Sequence, residues 1–293
     1  MEFGKLLAQH SAIAPGSIIA ITAFSLCGLR NGHLRRSRRE RSGFIMLKWP
    51  RLFLIAAQFL TRWPMPRNLE TDEKELGQAA MFFPLVGALV GASGALLHAA
   101  LLKFLPTSTC ALLTLVYFSF ITNAFHEDGL ADAFDGFGGG WTRERALEIM
   151  RDSRIGTFGA LALIFLALAK YDLLSSLAPS ALWRWLIVAH TAARWTAMPL
   201  CLWLPYAREE GQGKLVARRL SYGGAGIATL TLLATLALLN WREAAVAGAV
   251  AIAAPLLTGW YYRRRIGGVT GDCLGATNQL TEVAIYLAAV AFR

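Results

Sequence analysis

The chain is 293 residues long, 55% hydrophobic and only 16% charged, with a mean hydropathy of +0.45 and a formal net charge of +10. An ordinary soluble domain is about 25% charged, so the composition excludes a disordered chain, a collagen-like chain and a disulfide scaffold, and it points to an integral membrane protein. The basic balance would suit a nucleic-acid partner, but residues 1–51 hold nine Lys/Arg and two acids, whereas the remainder holds 20 basic and 17 acidic residues, so +7 of the +10 is N-terminal. No nucleic acid is expected as a partner.

Within residues 1–45, Ser11–Leu29 is free of charge but diluted by Pro15 and Gly16, and it is followed by Arg35-Arg36-Ser37-Arg38-Arg39. This stretch reads as a basic extension, either non-native or one extra membrane segment, and dispensable for chemistry. Met46 opens a fresh pattern, and 46–293 reads as a single integral membrane domain. The four cysteines, Cys27, Cys110, Cys201 and Cys273, are far apart and form no C-x-x-C, so neither a zinc site nor a disulfide framework follows.

A membrane-spanning helix needs about 20 mostly apolar residues. Spans are expected at 81–105, 109–126, 157–178, 181–204, 223–240 and 244–261, with a shorter one at 277–292, giving an all-α polytopic protein of six or seven transmembrane helices. Leu52–Leu60 is apolar but too short to cross. The connections alternate. Those at 106–108, 178–180 and 240–243 are tiny and carry Arg242 alone, whereas 62–80, 127–156, 205–222 and 262–276 are long and carry the other loop arginines and lysines. All four long connections then fall on one side, which the positive-inside rule makes cytoplasmic.

The chemistry gathers in those long connections. In His126-Glu127-Asp128-Gly129-Leu130-Ala131-Asp132-Ala133-Phe134-Asp135-Gly136, the carboxylates of Asp128, Asp132 and Asp135 share one helical stripe. Like charges at that spacing repel, and a hard divalent cation such as Mg²⁺ is the natural neutraliser. Glu127 points off the stripe and is a weaker metal ligand. His126 has three roles open: a base, a group orienting a ligand, or a satisfied interfacial histidine. Gly136-Phe137-Gly138-Gly139-Gly140 follows; as a loop, Gly138 and Gly139 would let backbone N–H groups cup a phosphate. Residues 142–156 read as a short amphipathic helix capped by Thr142, with Arg151 and Arg154 as neighbouring phosphate clamps and Asp152 as an orienting group or extra ligand. In the next polar loop, Arg208 and Lys214 can meet phosphate. Arg194 lies inside a span and needs a partner, for which the carboxylate stripe is the first choice. Asp272 is a ligand or base candidate between glycines, and Asn278 and Glu282, one turn apart, line the same cavity.

The stripe does not fit the CDP-alcohol phosphotransferase order, because Gly139-Gly140 replaces Ala-Arg, nor the membrane prenyltransferase order N-D-x2-D-x3-D. It resembles the signature of the cobalamin synthase (adenosylcobinamide-GDP ribazoletransferase) family. So do Leu147-Glu148-Ile149-Met150-Arg151-Asp152-Ser153-Arg154-Ile155-Gly156-Thr157, Tyr206-Ala207-Arg208-Glu209-Glu210-Gly211, Gly271-Asp272-x2-Gly275-Ala276, Thr61-Arg62-x-Pro64-x-Pro66 and Phe83-Pro84-Leu85-x-Gly87, over about residues 46–293. The resemblance implies a Mg²⁺-dependent transferase of the bacterial inner membrane. It would join adenosylcobinamide-GDP to α-ribazole or its 5′-phosphate, release GMP and form adenosylcobalamin or its 5′-phosphate. Asp128, Asp132 and Asp135 would hold one or two Mg²⁺ on the donor pyrophosphate. Arg62, Arg151, Arg154, Arg194 and Arg208 would bind substrate, and Asp152, Asp272 or His126 would take the hydroxyl proton. A different membrane phosphotransferase and a cation-coupled transporter are the rival classes; the transporter predicts carboxylates near mid-membrane. The sequence is compatible with a monomer or a homo-oligomer.

Overall fold

The computed structural model describes residues 48–66, 69, 71, 73–208 and 220–292. The N-terminal extension at 1–45 and Lys214 lie outside the described residues. The chain is all-α. Its helices are α1 (Lys48–Leu60), α2 (Glu73–Ala79), α3 (Phe83–Leu101), α4 (Thr107–Ile121), α5 (Phe125–Gly139), α6 (Arg143–Ile149), α7 (Thr157–Ser176), α8 (Pro179–Trp195), α9 (Ala197–Trp203), α10 (Tyr222–Leu236), α11 (Trp241–Ile266) and α12 (Gly271–Ala291), with a 3₁₀ turn at Ala80–Phe82. The β-pairing among the described residues is an isolated parallel bridge between Tyr206 and Val269.

Local sequence accounts for the helix ends. Pro84 and Pro179 stand in the first turns of α3 and α8, where a missing N–H costs nothing. Asn240 caps α11 in a reciprocal box with Glu243, and Gly267, at φ 73°, ends it in the left-handed region. Thr270 caps α12 by accepting from the Cys273 N–H.

Among the described residues, three helical stretches are long and apolar enough to cross a membrane, Lys74–Leu101, Thr157–Ser176 and Trp241–Ile266, or four if α4 and α5 count as one bent pair. Six or seven were expected from hydropathy. Other expected spans fall on helices outside that length and composition class, since α8 stops at Trp195, α10 has 15 residues, and α12 carries Asp272, Asn278, Gln279 and Glu282. The outward faces are apolar all the same, with Leu96, Phe165 and Leu257 each well over half exposed, as suits lipid contact.

α4 and α5 meet at 87°. Asn123 and Ala124, at φ 58° and 50°, make the corner in left-handed backbone, which is strained for alanine. α5 therefore turns away from α4 instead of continuing it, and packs on α12 and α7.

α3 and α8 form the closest seam. A Cβ on Gly87 would sit 2.2 Å from the His190 carbonyl oxygen, and one on Gly91 would sit 2.5 Å from that of Leu186. Helix backbones approach this closely only over glycine. Gly91→Ala should therefore lower the thermal unfolding midpoint of the detergent-purified protein, at an overpacking cost of about 1–3 kcal/mol. Gly226→Ala, with nothing within 4 Å of the added carbon, should not lower it; equal midpoints for the two variants would remove the seam.

Candidate active site

The expected stripe forms on α5, but its members part company. Asp128 is exposed and Asp132 half-buried, while Asp135 is buried. Asp128 and Asp132 lie near Asp272, from the first turn of α12; Asp128 and Asp272 disfavour ionisation of Asp132, and Asp128 does the same to Asp272. Gly129 makes this convergence possible, since a Cβ there would lie 3.1 Å from the Asp272 Cα. Arg208 is the cation of the cluster and donates to Asp272 Oδ2 at 2.6 Å. Burial pushes the Asp272 carboxyl up from the usual range, and Arg208 pulls it back.

Asp135 does different work. Its two oxygens accept from the backbone N–H groups of Gly156, at 2.7 Å, and Gly159, at 2.8 Å. It therefore caps the N-terminus of α7, where a carboxylate also meets the positive end of the helix dipole. Glu127 turns toward α4, where the Ser119 hydroxyl donates to it at 3.2 Å. No group of three or more His, Cys, Asp or Glu side chains is poised around a common metal position among the described residues.

Several expectations change here. Gly138 and Gly139 are not a phosphate-cupping loop; they form the last turn of α5, and their small size serves packing. A Cβ on Gly138 would lie 2.5 Å from the Phe158 ring, and one on Gly139 would lie 3.2 Å from Ile149. Thr142 does cap α6, accepting from the Arg145 N–H, but that helix ends at Ile149. Arg151 and Arg154 consequently lie on an exposed turn, not on one helical face. Arg154 is paired with Asp152 at 2.6 Å, which holds the Asp152 carboxyl down at about 2. Arg62 sits at the α4–α5 corner, where its backbone N–H meets the Ile121 carbonyl and its guanidinium donates to Asn123 Oδ1.

Arg194 does not pair with the stripe. Its partner is Glu282, at 3.2 Å, and the same carboxylate binds Lys170 at 2.6 Å and His190 at 3.0 Å. Lys170 also donates to Gln279. This buried network was only half visible in sequence, which pointed to Arg194, Asn278 and Glu282. Lys170, a lone cation in an apolar span, was the available signal for the rest. Between the network and the acid cluster lies a cavity of ≈ 60 Å³ bordered by His126, Arg194, Gly271, Gly275 and Asn278. The described cysteines, Cys110, Cys201 and Cys273, are buried free thiols.

The sequence pattern of the cobalamin-5-phosphate synthase family matches residues 52–290, which takes in every element of this site. The chain belongs to that family. Among the relatives of this cobalamin-5-phosphate synthase family member is the adenosylcobinamide-GDP ribazoletransferase of Vibrio cholerae, 44% identical over 249 residues, 82% of this chain and 94% of the relative. The enzymes of the same name from Ralstonia nicotianae (43% identical, 79% of this chain and 91% of the relative) and Shewanella piezotolerans (40%, 80% and 93%) are similar to the same degree. No solved structure matches this chain.

The division of labour among the three aspartates is testable by stability alone. Asp135→Asn should lower the unfolding midpoint of the ligand-free protein, because the amide offers one acceptor for two N–H groups, a loss of about 1 kcal/mol or more. Asp132→Asn should leave the midpoint unchanged or raise it by relieving repulsion. The reverse order would refute the assignment of Asp135 to the cap.

Proposed function

We propose that the protein is an adenosylcobinamide-GDP ribazoletransferase of the bacterial inner membrane, with its site on the cytoplasmic face. The observation that carries this reading is the convergence of Asp128, Asp132, Asp272 and Arg208 at one polar face, inside a chain 44% identical to an enzyme of that name over 94% of its length. The long connections, which hold nearly all the loop arginines, support a cytoplasmic position for this face. Placement at helix ends, in place of mid-membrane, also weighs against an ion path.

The oxygen-only donor set suits Mg²⁺, which binds through one or two carboxylates and completes its shell with water and substrate phosphate. Asp128 and Asp132 would hold it; Asp135 and Glu127 are engaged elsewhere. When bound, the ion neutralises charge on the donor pyrophosphate. The protein's own groups do the remainder. Arg208, fixed by Asp272, stabilises negative charge on the phosphates. The ribose 3′-hydroxyl of ribazole attacks the cobinamide-linked phosphorus; the new P–O bond forms as the bond to the bridging oxygen breaks, and GMP departs. The hydroxyl proton goes to Asp272, at the acid cluster, or to His126, which borders the cavity. Asp152 is set apart by its ion pair with Arg154 on the exposed turn.

The test is GMP release by the purified protein from adenosylcobinamide-GDP and α-ribazole. Activity should require Mg²⁺, vanish with a chelator and return on adding the ion back. Asp132→Asn should cut kcat by about 10²-fold or more, whereas deleting residues 1–45 should leave turnover intact. Folded protein that releases no GMP would overturn the assignment.

A further inference from the structure

The buried network around Glu282 is not balanced. Lys170 and Arg194 are both cationic, and Glu282 is the acid paired with them among the described residues; the side chains are 8%, 2% and 2% exposed. His190, at 2% exposure, shares the carboxylate and adds no negative charge. An excess positive charge out of reach of water is costly unless an anion accompanies it.

The ≈ 60 Å³ cavity opens beside that excess charge. Three of its lining residues are at least nine-tenths buried, and each has a polar atom without a hydrogen-bond partner: Nε of Arg194, Nδ1 of His126 and Oδ1 of Asn278. Buried polar atoms are normally satisfied, and these three belong to residues that line one cavity, which marks a place for a polar occupant. Two are N–H donors, His126 in its Nδ1–H tautomer, and the Asn278 amide can turn to present either its N–H₂ or its oxygen. The centre of a water can range over ≈ 60 Å³ here, where holding one water takes about 10–15 Å³ on that measure, so the space takes several waters or a small oxyanion. The opposite wall is Phe59, Phe83 and Phe125, with the Phe59 and Phe83 rings stacked at 5.6 Å.

We propose that this cavity is an anion subsite in which Arg194, backed by Lys170, seats a phosphate monoester, the 5′-phosphate of the nucleoside acceptor. The assignment of the acceptor rests on the function proposed above. The function proposed above already places the donor pyrophosphate at the acid cluster beside Arg208, which leaves this cavity to the acceptor. The rim supplies the link between the two, because Gly271 and Gly275 border the cavity and Asp272 lies between them. A phosphate seated there carries nearly two negative charges at neutral pH, and its sugar would emerge toward Asp272 and Arg208.

The test uses the full chain in phosphatidylcholine nanodiscs. Inorganic phosphate should raise the unfolding midpoint of the wild type and compete with ribazole 5′-phosphate. Arg194→Gln and Asn278→Asp should each weaken phosphate binding by about tenfold or more, as expected for a lost charge-assisted contact or an added like charge. In turnover, the ratio of kcat/KM for ribazole 5′-phosphate to that for ribazole should fall by about tenfold or more in Asn278→Asp. An unchanged ratio in a variant that still turns over, or no effect of phosphate on the wild type, overturns the subsite. If Arg194→Gln does not fold, Asn278→Asp and phosphate binding to the wild type decide the question. Stabilisation by phosphatidic acid in the disc but not by soluble phosphate would assign the cavity to a lipid headgroup and overturn the acceptor. The phosphate-binding arm does not depend on GMP release, so failure of the subsite and failure of the proposed reaction are told apart.

Discussion

A carboxylate in the apolar interior must be neutralised, and Glu282 is neutralised by groups from two other helices. Lys170 reaches it from α7, and His190 and Arg194 from α8. Each partner is buried, so none can retreat to water if the helices slide. Replacing such a network with apolar residues often costs little, but removing one partner leaves a stranded charge. The network therefore sets register more than it adds stability. It fixes the relative height of α7, α8 and α12, and those helices carry the Asp135 cap site, the Arg194 cavity wall and Asp272 respectively.

The polar face above this network is built from helix ends. Asp135 closes the start of α7, Thr270 closes the start of α12, and the Asn123–Ala124 corner sends α5 across the bundle. Once Asp135 is engaged, two stripe carboxylates and Asp272 are left facing each other with one arginine among them. Like charges held this close repel, the usual compromise of a functional site, and the cation-assisted phosphate chemistry proposed above would relieve it.

The sequence displayed the helical class and most helix positions, because apolar runs and short turns follow directly from lipid and backbone constraints. It showed the acid stripe through its i, i+4, i+7 spacing. It could not show that Asp135 would leave the stripe, since the N–H groups that claim it come from Gly156 and Gly159, more than twenty residues away. Gly138 and Gly139 looked like a loop because glycine signals flexibility and close packing alike, and only Phe158 on α7 decides between them. Arg194 was seen to need a partner; which acid it would meet depended on how α8 and α12 pack. Helix length does not fix the number of spans, because α8 and α10 are shorter as helices than as hydropathy runs.

The arginines of the long connections have a second use once the chain has folded. Arg265 donates to the carbonyls of Phe137 and Gly140 at the end of α5, and Arg143 donates to those of Ile266 and Ala207. These groups have no helical partner of their own. Two of the side chains that make these connections basic therefore also tie helix ends together. The charge pattern that the positive-inside rule reads and the contacts that tie the polar face together are thus carried by the same residues.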